Sequence, residues 1–234
     1  MDNVHKVKEK AKLDRQNFLE KAYQLMAEGV IIFDPNRLDI RGSLKCGKGV
    51  KIDINVIIEG DVILEDDVFI GANCILKNCQ INKGTRINSF SLIEDSVVGS
   101  KSYIGPFARL RPNSEVGDNV QIGNFVEIKS SKIDSSCRIN HLSFVGDADL
   151  ARNVTIGAGT ITCNHDGHNI NHLKINEGAY IGSGCNLVAP LLINANATIA
   201  SGSTITEDAP KETLTIARSR QVSIENWKGP KSSQ

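Results

Sequence analysis

The chain has 234 residues, with 27 Lys and Arg balanced by 27 Asp and Glu. A net charge of zero argues against nucleic acid or an acidic membrane surface as a general partner. Aromatics make up only 5% of the residues, which suits narrow stacked β coils filled by Ile and Val better than a core built around large rings. No apolar run approaches the roughly 20 residues that span a bilayer. The opening Met1-Asp2-Asn3-Val4-His5-Lys6 carries no apolar stretch of a signal peptide, so the expected location is the cytoplasm.

Residues 1–30 read as one amphipathic helix. Val4, Val7, Ala11, Phe18, Ala22, Leu25 and Met26 recur at helical spacing among Lys and Glu, and Gly29 and Pro35 stop the pattern. Two roles fit: the stripe caps the open end of a β coil, or it receives a partner.

From residue 31 to 206 an aliphatic residue returns about every six positions. The series runs Ile52, Ile58, Leu64, Ile70, Leu76, Ile81, Ile87, Ile93, Val98, Ile104, Leu110, Val116, Ile122, Ile128, Ile133, Ile139, Val145, Leu150 and Ile156. It resumes at Ile175 and continues to Ile205. A second register of small or β-branched residues lies two positions earlier, as at Val50, Val56, Cys74, Thr85 and Ser102. Residues two apart in a strand face the same side, so both registers point inward. Gly, Asn or Asp after the aliphatic residue tolerates the turn. Three such strands close a coil of about 18 residues, and coils stack as a parallel β-helix. Cys74, Cys79, Cys137 and Cys185 fall in the small register and Cys46 at an aliphatic position, so they read as reduced core residues. Cys163 lies outside the register and is the candidate exposed thiol. No CxxC pair occurs, so neither a zinc nor a redox site is expected.

The clock breaks between Ile156 and Ile175, where about seven extra residues form a loop near 163–172. His165, His168 and His172 gather there; the hexapeptide-coil carbonic anhydrases, which the coil is similar to, hold zinc by several histidines of the coil body, and here only His141 lies there, so that comparison implies no metal. Arg111 and Lys129 are separated by one coil and stack on one edge. They form either a phosphate clamp or two solvated side chains that point apart. His141 lies in neither inward register and faces out, either as an inert surface residue or as a base near pH 7. Residues 207–234 form a tail that is either disordered or docks on a neighbouring subunit.

Several stretches together carry a resemblance. They are Gly105-Pro-Phe-Ala-Arg-Leu-Arg-Pro112, Ile122-Gly-Asn-Phe-Val-Glu-Ile-Lys129, His141-Leu-Ser-Phe-Val-Gly-Asp-Ala148, Ile156-Gly-Ala-Gly-Thr-Ile-Thr-Cys-Asn164, Asn186-Leu-Val-Ala-Pro190 and Ile216-Ala-Arg218. They resemble the C-terminal half of the bifunctional enzymes that are both glucosamine-1-phosphate N-acetyltransferase and N-acetylglucosamine-1-phosphate uridyltransferase. The resemblance implies a left-handed β-helix with an N-terminal helix and a C-terminal arm. It implies N-acetylation of glucosamine-1-phosphate by acetyl-CoA, with no uridyltransferase activity from this segment. It implies His141 as the base, Arg111 and Lys129 as sugar-phosphate contacts, and Ala158, Asn164, Ser183, Ser201 and Arg218 along the acetyl-CoA site. It further implies a homotrimer with sites between subunits. Four positions depart from the family pattern. Phe144 stands for a tyrosine, Thr155 for an asparagine, His165 for a tyrosine and Ile170 for a lysine. They leave two other readings open: acetylation of a different or nucleotide-linked amino sugar, and a non-catalytic trimeric scaffold.

Overall fold

In the computed structural model, which describes residues 2–229, the chain forms the expected left-handed parallel β-helix. Helix α1, Asp2–Ala27, comes first, followed among the described residues by 28 short strands. Most strands are two to four residues long because a turn interrupts the chain after each inward aliphatic residue. Every position of the six-residue clock named above, from Ile52 to Ile205, is buried. Buried Thr85, Ser91, Ser96, Ser102, Ser114 and Ser131 occupy the second register. All but the Ser91 hydroxyl donate to carbonyls at the corners, as Thr85 Oγ1 does to Gly99 O at 2.6 Å, while Ser91 Oγ accepts from the Ala108 amide. No buried side-chain nitrogen or oxygen among the described residues lacks a partner.

The coil has three faces. The first is an eleven-stranded sheet whose outward residues include Tyr103, Gln121, Arg138, Thr155 and Tyr180 in successive register. The second carries Leu92, Arg109, Glu127, Phe144 and Ile161 outward. The third carries Val97, Glu115, Lys132, Asp149 and Lys174. The long strands Val56–Leu64 and Ile75–Ile81 run from the second face into the third.

The N-terminal helix covers the first coil with its C-terminal half alone. Ala22 and Leu25 are buried, whereas Val4, Val7 and Leu13 stand in the open, so the expected stripe is in use only from about Phe18 onward. Polar contacts fix the rest of the seat. Arg15 pairs with Asp39 at 2.5 Å, and Lys21 Nζ donates to the carbonyls of Ile40 and Gly42. Burial pushes the Asp39 carboxyl up, but hydrogen bonds from Arg41 and Arg15 outweigh it and hold the group below its ordinary value. At the other end, pairing runs on past Ile205. Ala209 bridges Ile193, and Leu214–Thr215 pairs with Thr198–Ile199.

The cysteines sit as the register requires. Cys74, Cys79, Cys137 and Cys185 are buried, and Cys46 packs half-buried against the core. Cys163 is half-buried rather than fully exposed, because it ends a strand before the loop departs.

Candidate active site

The turn from the first face to the second builds one column of the site. Its second position holds Asn124, His141, Ala158, Ser183 and Ser201 in successive coils. Backbone bonds tie these rungs together: Leu142 N to Asn124 O, Gly159 N to His141 O, Gly184 N to Ala158 O and Gly202 N to Ser183 O. Gly123 makes the close stacking possible, because a Cβ there would lie 2.0 Å from Asn140 O. His141 is exposed, as its register demands, and its Nδ1 lies 3.0 Å from Asn124 Oδ1. A carboxamide oxygen only accepts, so Nδ1 is the donor of this pair, and in the neutral ring the lone pair is on Nε2. Arg218 lies at the far end of this column, with its Cδ 3.8 Å from the place a Cβ on Gly202 would take.

The turn from the second face to the third builds the other column. Its outward residues run Arg41, Glu59, Lys77, Glu94, Arg111 and Lys129. Charges alternate up to Arg111, with ion pairs Arg41–Glu59 at 3.1 Å and Lys77–Glu94 at 3.8 Å. The alternation then fails, and two cations follow one another. Carboxylates from outside the column relieve the repulsion: Glu127 pairs with Arg111 at 2.9 Å and Asp147 with Lys129 at 3.4 Å. Two adjacent cations in an otherwise alternating ladder are what an anionic ligand would select.

His141 and the two cations thus border one face from opposite edges, and Glu127 and Phe144 lie outward between them. No hydrogen bond or ion pair joins His141 to Arg111 or Lys129 among the described residues. Asn164 joins the cation edge, with its Nδ2 2.5 Å from Asp147 Oδ2. It also opens the inserted loop, which lengthens its coil, so that the strand holding Ile161 meets its next partner only at Asn186. His165 and Ile170 pair across the loop as an antiparallel bridge. Asp166 caps its turn, where the amides of Asn169 and then His168 hold the carboxyl well below the ordinary range. His172 turns away to Asp149 on the third face, 3.1 Å distant. Among the described residues no group of three His, Cys, Asp or Glu side chains gathers to hold a metal.

Of the four departures, Phe144 lies on the second face and Thr155 on the first, while His165 and Ile170 are on the loop. The sequence pointed to neither Asn124, Glu127 nor Asp147. For Asn124 the coil length supplied a signal, since it lies one coil before His141. A surface groove of about 560 Å³ lies elsewhere, on the third face between Val97, Glu115, Lys132, Asp149 and Lys174. It touches none of the site residues, and the chemistry of the two columns outweighs its size in locating the site.

Residues 40–114 match the family model described as the GMPPB C-terminal domain. The chain is 47% identical over 218 residues to the bifunctional protein GlmU of Methylobacillus flagellatus, covering 91% of this chain and 48% of that protein. Against GlmU of Aromatoleum aromaticum the identity is 48% over 220 residues, covering 94% and 48%. The chain therefore spans about half the length of the curated relatives it matches. The solved structure of LpxA from Acinetobacter baumannii aligns with a TM-score of 0.51 at 18% identity, covering 78% of this chain and 71% of that one, a likeness of fold alone.

Proposed function

We propose, from the premise that this chain is a homologue of the C-terminal half of the GlmU proteins, that it transfers an acetyl group from acetyl-CoA to the amine of glucosamine-1-phosphate. The observation that carries the reading is the pairing of an oriented imidazole with a doubled cation across one face. Arg111 and Lys129 hold the phosphate. The neutral amine attacks the thioester carbonyl carbon, and His141 Nε2 takes the proton that the nitrogen sheds. The carbon–sulfur bond breaks and coenzyme A leaves with the sulfur electrons. The Ala158 amide, one coil beyond His141, is placed to receive the developing oxyanion. Ser183, Ser201 and Arg218 continue that column as the path for coenzyme A, with Asn164 at the loop. No step requires a metal or a covalent enzyme intermediate.

The site is assembled between copies of the chain, as a homotrimer. Two observations support this. Thr155 faces outward on the first face and Phe144 on the second, so a second chain packed along the turn between them would bring a ligand there against both faces. The turn column beside His141 also carries Phe90, Phe107 and Phe125, stacked with centroids 5.0 and 5.3 Å apart. They are 53%, 46% and 56% exposed, a continuous apolar strip of the kind that partners cover.

Acceptor profiling with acetyl-CoA tests the assignment. Glucosamine-1-phosphate should be the best acceptor by kcat/KM. Phe144 brings no hydroxyl to the face and Ile170 no cation to the loop, which keeps a different or nucleotide-linked amino sugar as the second acceptor to assay. A better rate with that sugar would replace the first assignment. Absence of acetyl-CoA binding by calorimetry would reject acetyl transfer and leave a scaffold.

A further inference from the structure

We propose that Asp147 is a positioning residue that ties the anion-binding arm of Lys129 to Asn164, so that the two substrates are bound with linked affinities. The inference rests on the acetyl-transfer reading above.

One oxygen makes the link. Asp147 Oδ2 accepts from Lys129 Nζ at 3.4 Å and from Asn164 Nδ2 at 2.5 Å. The donors come from the coils on either side of Asp147. The backbone of Asp147 is held from both directions as well: its amide donates to Lys129 O at 2.9 Å, and its carbonyl accepts from Leu173 N at 3.1 Å. The residue stands in the left-handed region, at φ 51°. Its side chain is only 17% exposed, so the carboxylate is not free to turn into solvent. Gly146 leaves the space around it. A Cβ there would lie 2.5 Å from Phe144 Cζ and 3.1 Å from Asn164 Nδ2. The far side of Asn164 leads into the loop, because Asn171 N donates to Asn164 O at 2.7 Å.

Two donors on one oxygen compete for its electron density. A phosphate drawn to Lys129 takes up part of the ammonium charge and leaves Oδ2 more strongly committed to Asn164. Asn164 is then held more firmly for coenzyme A. The coupling is therefore positive, and by reciprocity each ligand tightens the other by the same factor.

Calorimetric titration of coenzyme A, with and without saturating glucosamine-1-phosphate, tests this without turnover. The unaltered protein should bind coenzyme A about fivefold more tightly when the sugar phosphate is present, at the lower end of usual coupling. Asp147→Asn should bind both ligands with a ratio close to one. Asn tolerates the left-handed backbone, and a thermal melt checks that the variant is folded. Asn164→Ala should also abolish the coupling, and the double variant should lose nothing more. If Asp147→Asn does not fold, the Asn164→Ala ratio decides. An undiminished ratio in either folded variant, or a ratio of one in the unaltered protein, overturns the role of Asp147 and leaves acetyl transfer standing. Failure of the unaltered protein to bind either ligand overturns both.

Discussion

His141 owes its usefulness to a neighbour one coil away. Asn124 fixes which ring nitrogen is protonated, and the backbone ladder fixes where the ring begins. His141→Ala should lower kcat by roughly 10²–10⁴-fold, the range of a positioned base, in a steady-state assay with acetyl-CoA. Asn124→Ala should lower kcat by about tenfold, near the ~1.4 kcal/mol scale of one lost hydrogen bond, with the KM for acetyl-CoA little changed. The buried thiols make a separate prediction. Burial pushes Cys74 and Cys137 up to about 11 and Cys79 up to about 12. Above pH 9 the unfolded chain releases these protons while the folded chain keeps them. Stability therefore falls as pH rises from about 9 towards 11–12, by up to about 1.4 kcal/mol per pH unit for each thiol. Urea midpoints at pH 8 and 10.5 check this, and Cys74→Ala should flatten the decline. At this scale the sequence was legible wherever one residue's register decided its direction. His141 outward and Arg111 next to Lys129 follow from counting. Glu127 and Asp147 do not, because the coils are not all of equal length and a single-position slip moves a charge to a different neighbour.

The elements differ in how much of their pattern is used. In α1 the helical spacing of Val4, Val7 and Ala11 is real, but the first coil is too narrow to cover more than the segment from Phe18 to Leu25. Helical periodicity shows that a stripe exists and not how much surface waits for it. Leu25→Ala should cost about 2–4 kcal/mol in urea unfolding, because it opens a void between helix and coil. A cost below about 0.5 kcal/mol would mean that the helix does not serve as the cap. The turn columns were less readable than the strands. Asn55 and Asn73 fill the left-handed position as expected, yet Phe90, Phe107, Phe125 and Leu142 occupy it in the coils above, with φ between 50° and 63°. Rings there break the local preference at a cost of about 1–2 kcal/mol each. Propensity predicts Asn or Gly at such a corner, so only the stacked geometry reveals the strip.

For the whole molecule, the two bordering columns and the exposed strip bear on assembly. Phe107→Asp places a charge in the middle of the strip. It should shift sedimentation from trimer to monomer while leaving the far-ultraviolet circular dichroism of the coil unchanged. An intact trimer in that variant would remove the strip from the interface. The coil itself was the most legible feature, since the same inward pair repeats from residue 50 to 205 and each rung is tested again by the next. The coil also works as a ruler. Each turn advances by one strand spacing, about 4.8 Å, and touches only the turns beside it. The separations between Asn124, His141, Ala158, Ser183 and Ser201 are therefore whole-number multiples of one step rather than outcomes of a global packing arrangement. Such a body is modular along its axis. Excising one full turn, from Asp53 to Ile70, should shorten the rod by one graduation, lower its resistance to denaturant by one turn's share, and leave catalysis at the distant marks unaltered.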